Sequence, residues 1–352
     1  MPRGQMVWSN NTASCPSTSK MATHVTLNRH DPTGPVLVTM QHDNSFSKDA
    51  TYVSAMNTAN VLLAMQWTTA SIGGPLDSTP VDYAGPLALL GFPYESRLRD
   101  MAVNGTEAGS TTNDAGAALL HSGVSAVGNS AAQVAAQTVF ANPASPEYNL
   151  YGYVVAIVEL VANADYHIAL VNALWTVEHV VRIYRVQPGG VGVGWGVPVI
   201  TPLGTLTRPW AWGREQASLA ARDATAAGGR PAALVVGLPY DPRCGPSSGW
   251  PDTCTNSGGA HVYTLDSMSG VWAWQGVLKA PYVRDYGYCG FAVAIAGDLV
   301  AVGCIGDKSP STAVDVDEAL NTGTSIGAAH AWRLDATNAS ASVREGYLKA
   351  FV

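Results

Sequence analysis

One pattern of short apolar runs, glycines and aromatics recurs along this chain at a near-constant period, and that repeat limits what the chain can fold into. GGAHVYTLD (Gly258–Asp266) and GAAHAWRLD (Gly327–Asp335) align without a gap. GAALLH (Gly116–His121), EHVVRIYRV (Glu178–Val186) and ATYVSAMN (Ala50–Asn57) are earlier, more degenerate copies. A short apolar run, usually ending in glycine, precedes each copy. These runs are VLVTM (Val36–Met40), LALLGFPY (Leu87–Tyr94), IALVNALW (Ile168–Trp175), ALVVGLPY (Ala233–Tyr240) and LVAVGCIGD (Leu299–Asp307). With Asn172 in the glycine's place, the last three recur at almost equal intervals, through Gly237 and Gly303. Another run follows each copy: NVLLAM (Asn60–Met65), TVFANP (Thr138–Pro143), VITP (Val199–Pro202), GVLKAP (Gly276–Pro281) and GYLKAF (Gly346–Phe351). The later units open on an aromatic–glycine step: YGYVVAI (Tyr151–Ile157), WGREQASLA (Trp212–Ala220) and YGYCGFAVAI (Tyr286–Ile295). Self-similarity at a fixed period marks a repeat architecture.

Each unit therefore holds four short apolar runs. Val262 and Thr264 alternate with Tyr263 and Leu265, and Val271 and Ala273 with Trp272 and Trp274. Gly, Pro and Asp clusters bound the runs, which reads as strands. QVAAQTV (Gln133–Val139) has a helical composition, but its place in the repeat makes it a strand. A single four-stranded sheet cannot bury both faces; neighbouring sheets must do so. The expected fold is all-β, a β-propeller of four-stranded antiparallel blades with about five blades visible. The units run over about 21–70, 71–143, 150–205, 210–281 and 286–352, after an N-terminal extension of residues 1–20. The five units form either a five-bladed ring or part of a longer, seven-bladed one.

Charged residues make up only 13%, and the net charge is −7. An acidic chain without a basic stripe is not built for nucleic acid. The most apolar stretch, Tyr151–Trp175, is interrupted by Glu159, Asp165 and His167 and falls short of a membrane span. The opening MPRGQMVWSNNTASCPSTSK has no apolar segment of the signal-peptide kind. Either the chain stays inside the cell, or its numbering starts after a processed segment or within a longer polypeptide.

GFAVAIAGDLVAVGCIGD (Gly290–Asp307), followed by GAAHAWRLD and EGYLKA, resembles a whole repeat of the FG-GAP family, the integrin-alpha-type propeller repeat. The unit Trp210–Pro281 is similar, with WG, ALVVGLP, GGAHVY and WQGVLKA. The resemblance implies that the loops between strands two and three lie on a ligand-binding face. Here these are Glu95–Asp114, Asp241–Ser257 and Lys308–Ser325, rich in Ser, Thr, Asn and Gly. Many repeats of that family carry a calcium loop, DxDxDG, after the first strand. The corresponding turns here read AGDL (Ala296–Leu299), NADYH (Asn163–His167) and DATAAGGR (Asp223–Arg230), too poor in carboxylates for calcium. No cofactor is expected. The one acidic cluster, Asp315, Asp317 and Glu318, is either a cation site or a solvated loop.

Cys289 and Cys304 flank the turn Ala296-Gly297-Asp298 almost symmetrically, so an antiparallel hairpin would set them opposite each other. Cys244 and Cys254 bracket the loop CGPSSGWPDTC, a second candidate bridge. Two bridges point to an oxidising compartment; buried thiols are the alternative. Asn10, Asn104 and Asn338 are glycosylation acceptors. Trp250 is held on the bracketed loop and, with Asp252, Tyr240, Asp307 and Asp315, forms the candidate partner-binding set.

The sequence of a zinc helix (HExxH) is missing. GGVGVGWG (Gly189–Gly196) is followed by Pro198 and reads as a turn between strands three and four. His261 and His330 recur at the same place in successive units, which points to structure rather than catalysis. Asp266 and Asp335 recur likewise, as turn caps. Trp272, Trp274 and Trp332 are expected between blades. The reading is a non-enzymatic interaction module, extracellular or on the cell surface, with a cytoplasmic location as the alternative. It binds a protein partner or assembly through the loops between strands two and three. A glycan-binding module and a propeller hydrolase or lyase are the alternatives.

Overall fold

The computed structural model describes residues 19–27, 36–42, 50–56, 62–68, 80–92, 116–123, 136–140, 151–162, 164–172, 180–189, 197–206, 217–225, 229–242, 254–281, 283, 285–309, 327–335 and 342–349. These residues are all-β and contain no helix. They form a β-propeller of five four-stranded antiparallel sheets, each a simple meander.

The first blade holds β1 (Ser19–Leu27), β2 (Val36–His42), β3 (Ala50–Met56) and β4 (Leu62–Thr68). The second holds β5 (Val81–Ala84), β6 (Leu87–Phe92), β7 (Ala117–Ser122) and β8 (Ala136–Phe140). The third holds β9 (Tyr151–Val161), β10 (Asp165–Asn172), β11 (Val180–Gln187) and β12 (Val199–Thr205). The fourth holds β13 (Ser218–Arg222), β14 (Ala233–Leu238), β15 (Gly259–Leu265) and β16 (Trp272–Leu278). The fifth holds β17 (Cys289–Ala296), β18 (Leu299–Cys304), β19 (Ala328–Arg333) and β20 (Val343–Lys349). Each sheet falls within one sequence unit, except that β1 opens at Ser19, inside the expected N-terminal extension. Residues 136–139 of the helix-like QVAAQTV stretch lie in strand β8. The glycine run Gly189–Gly196 falls between β11 and β12, as its place in the repeat requires.

The first strand of every blade lies at the hub: β1 packs on β5, β5 on β9, β9 on β13 and β13 on β17. The hydrophobic core is therefore not inside any sheet but between sheets. Leu89 and Leu120 of blade two pack with Ile157 and Ile168 of blade three. Val158 and Val171 of blade three meet Leu234, Val236 and Trp272 of blade four. Val235 and Val262 of blade four meet Val300, Val302 and Trp332 of blade five. This explains why β14, ALVVGL, is apolar throughout and buried on both faces. Its two faces serve two different neighbours.

The outermost strand behaves differently. In β12, VITPLGT, every residue but Ile200 is exposed, and Pro202 stands in its middle. Polar links also cross the junctions. Asp82 Oδ2 accepts from the Ile157 amide at 2.7 Å, tying blade two to blade three. Trp272 Nε1 donates to His167 Nδ1 at 3.1 Å, tying blade four to blade three.

Candidate functional site

The loops between strands two and three all leave the same end of their sheets, because each blade has the same strand order. In blades four and five the roots of these loops are clamped in the same way. The Gly258 amide donates to the Asp241 carbonyl at 3.0 Å, and the Gly327 amide to the Asp307 carbonyl at 3.3 Å. Each bond closes the chain on itself, where the loop begins and where it ends.

Buried charge reinforces the clamp in blade four. Asp241 Oδ2 lies 3.2 Å from both His261 Nε2 and Lys279 Nζ. Lys279 Nζ donates to Ser257 Oγ at 3.3 Å, and Ser257 Oγ donates to the Asp241 carbonyl at 3.0 Å. All four residues are buried. An ion pair withdrawn from water holds only if it gains further polar partners, and here His261 and Ser257 supply them. In blade five the equivalent Asp307 accepts from Tyr347 Oη at 3.0 Å and from the Ser309 amide at 2.9 Å. Asp307, a candidate contact residue by sequence, is 9% exposed and spends its carboxylate on the loop root. His330 lies between Trp332 and Tyr347, with ring centroids at 5.4 and 5.0 Å.

Beside the blade-four root stands an aromatic cluster. Tyr240 meets Tyr288 edge-on at 5.4 Å, and Tyr288 meets Tyr286 at 6.2 Å. Tyr286 is half exposed. Its amide donates to the Thr255 carbonyl at 2.7 Å, and the Tyr288 amide to the Asn256 carbonyl at 3.0 Å. The entry to blade five thus runs along the exit of the blade-four loop. Tyr286 and Tyr288 hold φ values of +60° and +50° to do so. Bulky residues rarely adopt this left-handed backbone, and such strain concentrates at functional sites. The sequence marked Tyr240, but nothing in it singled out Tyr286 and Tyr288 beyond the aromatic–glycine step.

Cys289 and Cys304 are paired across β17 and β18 and form a disulfide. Cys254 is also disulfide-bonded. Cys244, Trp250, Asp252, Asp315, Asp317, Glu318 and the sequons Asn10, Asn104 and Asn338 lie outside the described residues.

The carboxylates at the calcium-loop positions already have partners. Asp298 is bridged by Arg222 at 2.8 Å and Arg230 at 3.0 Å. Asp165 is paired with Arg185. Asp223 Oδ1 accepts from the Glu159 amide at 2.7 Å. Among the described residues no group of three or more His, Cys, Asp or Glu could hold a metal. Asp266 caps the β15–β16 turn, its Oδ1 accepting from the Met268 amide at 2.9 Å. Those bonds, from Met268 and then Ser269, hold its carboxyl below the ordinary range. Trp272 and Trp332 are buried between blades. No helix among the described residues is long and apolar enough to cross a membrane. No protein-family model matches the chain, and no curated protein matches it.

Proposed function

We propose that this β-propeller is a non-enzymatic interaction module. In this reading it binds a protein partner through the face formed by the Asp241–Ser257 loop and the tyrosines beside it. The carrying observation is the Tyr240–Tyr288–Tyr286 cluster, fixed by strained backbone against a loop whose two ends are clamped. Tyrosine offers a large amphipathic surface at little entropic cost, and such residues anchor protein interfaces. Binding residues are often carried on loops held at their ends by a rigid scaffold. The resemblance to FG-GAP repeats belongs to the same reading and puts partner contacts on this face. The disulfide between Cys289 and Cys304 supports an oxidising, extracellular or cell-surface setting.

A screen of the chain against an array of extracellular proteins tests this, repeated with Tyr286→Ala and with residues 242–253 replaced by a short Gly/Ser link. A partner retained by the chain and lost by both variants, with thermal unfolding unchanged in Tyr286→Ala, supports the reading. Binding confined to a glycan array, or turnover of pooled glycoside and ester substrates, transfers the assignment to a lectin or a hydrolase.

A further inference from the structure

Among the described residues, no strand covers the far face of blade five. Phe291 is 41% exposed, Leu299 40%, Val343 65% and Leu348 52%, all on or beside this face. Between them lie Ala294 and Ala301, also exposed. The register shows what the face is. In blade four, Ser218, Gly237, Ala260 and Leu278 form one cross-strand row. In blade five the same row reads Ala292, Gly303, Ala329 and Leu348. The blade-four row is covered by β17, and Leu278 is only 3% exposed. The blade-five row repeats a blade-to-blade interface that has no neighbouring blade among the described residues.

The glycines state what fits it. A Cβ on Gly237 would run into the Gly290 carbonyl oxygen of the next blade, and one on Gly290 into the Gly259 carbonyl oxygen. Blades two and three repeat this: a Cβ on Gly91 would strike the Gly152 carbonyl oxygen, and one on Gly152 the Ala117 carbonyl oxygen. At both seated junctions where the second strand carries glycine at this position, the next blade answers with glycine in its first strand. Gly303 has the same place in blade five, yet the three atoms nearest to a Cβ there all belong to Ala292 of its own blade, at 3.5 Å or beyond. The chain's own first strand does not answer it. β1 reads SKMATHVTL, with no glycine, and Lys20 and Met21 fill its bulge. The two glycine-bearing first strands, β9 and β17, are already seated on blades two and four.

We propose that the far face of blade five is a docking surface for a further four-stranded blade, outside residues 1–352, whose first strand carries glycine where β17 carries Gly290. The observation that names the occupant is the one-to-one match of glycines at the two seated junctions. The docked blade covers Leu299, Ala301 and Leu348 and lays its glycine carbonyl over Gly303.

The test uses the whole chain with Ala301→Cys as a reporter for maleimide labelling, and Ala331→Cys on the next strand as an independent one. A second copy of residues 286–352 is then appended after Val352, because that segment holds a blade led by the required glycine. Rapid labelling of the chain alone is expected, slowed at least about tenfold by the appended blade, as burial of a face predicts. Valine at the appended copy's Gly290 position restores rapid labelling. Slow labelling of the chain alone at low concentration would show that the first blade covers the face, and overturns the proposal. Slow labelling only at high concentration would assign the face to a second copy, and overturns it too. So does an appended blade that stays protease-sensitive, since a blade without a seat does not fold alone.

Discussion

Arg222 Nη1 lies 2.8 Å from Asp298 Oδ1, across the junction between blades four and five. The same guanidinium donates to the carbonyls of Gly297 and Pro231. Burial works against its charge and Asp298 supports it. Arg222→Met therefore leaves a carboxylate and two carbonyls without this donor. A loss of about 2–4 kcal/mol is expected in urea unfolding, as for a buried pair missing one partner. Arg230 also bridges Asp298 but is half exposed. Arg230→Met should cost less than about 1 kcal/mol. Equal losses would show that burial does not set the strength of this link.

Acid should loosen the propeller through two histidines. Burial pushes both His121 and His167 down to about 4, and Asp165 only partly offsets this at His167. The unfolded chain takes up protons near the ordinary value of 6.5, and the folded chain resists until about 4. Their contribution to stability is full above pH 6.5 and falls as pH drops toward 4, on the order of 2–3 kcal/mol for His121. His167→Gln, which keeps an acceptor for Trp272 Nε1, should flatten part of that slope. A denaturation series between pH 7 and 4 measures it, and an unchanged slope in this variant would count against the assignment.

The left-handed backbone at Tyr286 separates strain from contact. Tyr286→Gly removes the steric conflict and should leave stability unchanged or up to about 1 kcal/mol higher. Tyr286→Val, branched at Cβ, should cost about 1–2 kcal/mol. Chemical unfolding of the two variants gives the comparison. A loss with glycine that matches the loss with valine would assign the effect to the missing ring instead.

Gly237 has no room for a side chain, and Gly303 has. Gly237→Ala forces blades four and five apart and is expected to cost about 2–3 kcal/mol, as overpacking does. Gly303→Ala should change stability by less than about 1 kcal/mol. Thermal scans of both distinguish a filled junction from an open one.

The Cys289–Cys304 bridge closes a loop with a sequence separation of 15 residues. Replacing both cysteines by alanine should lower stability by about 3 kcal/mol in the chain-entropy account. A reductant should lower the stability of the native chain by more than that of the double variant, which has only the Cys254 bridge left to lose.

The blades were legible in the sequence because each landmark carries its own chemistry. The glycine after ALVV and the GGAHVY run recur at fixed offsets and mark the strands. The hairpin symmetry of Cys289 and Cys304 about Gly297 foretold their pairing, and the register agrees. The spacing was less sure in blade three. There the register gives the glycine's place to Val171, beside the bulge, and not to Asn172. Asp241 and Asp307 recur one repeat apart, a signal that could have revealed the clamps. Their roles stayed hidden because the bonds join residues far apart in the chain, Asp241 to Ser257 and Asp307 to Tyr347. The tyrosine strain was hidden too, since a backbone dihedral forced by a neighbouring loop leaves no mark on composition.

The rim of blade three has a further consequence. Pro202 withholds an amide from the middle of β12, and Gly204, with φ at +108°, bends the strand just past it. An outer strand so interrupted is a poor template for another chain, despite its exposed Val199 and Leu203. Copies of this protein should not zip side by side along that rim, and long incubation should give no cross-β fibre signal. Association is thereby steered away from indiscriminate edge pairing.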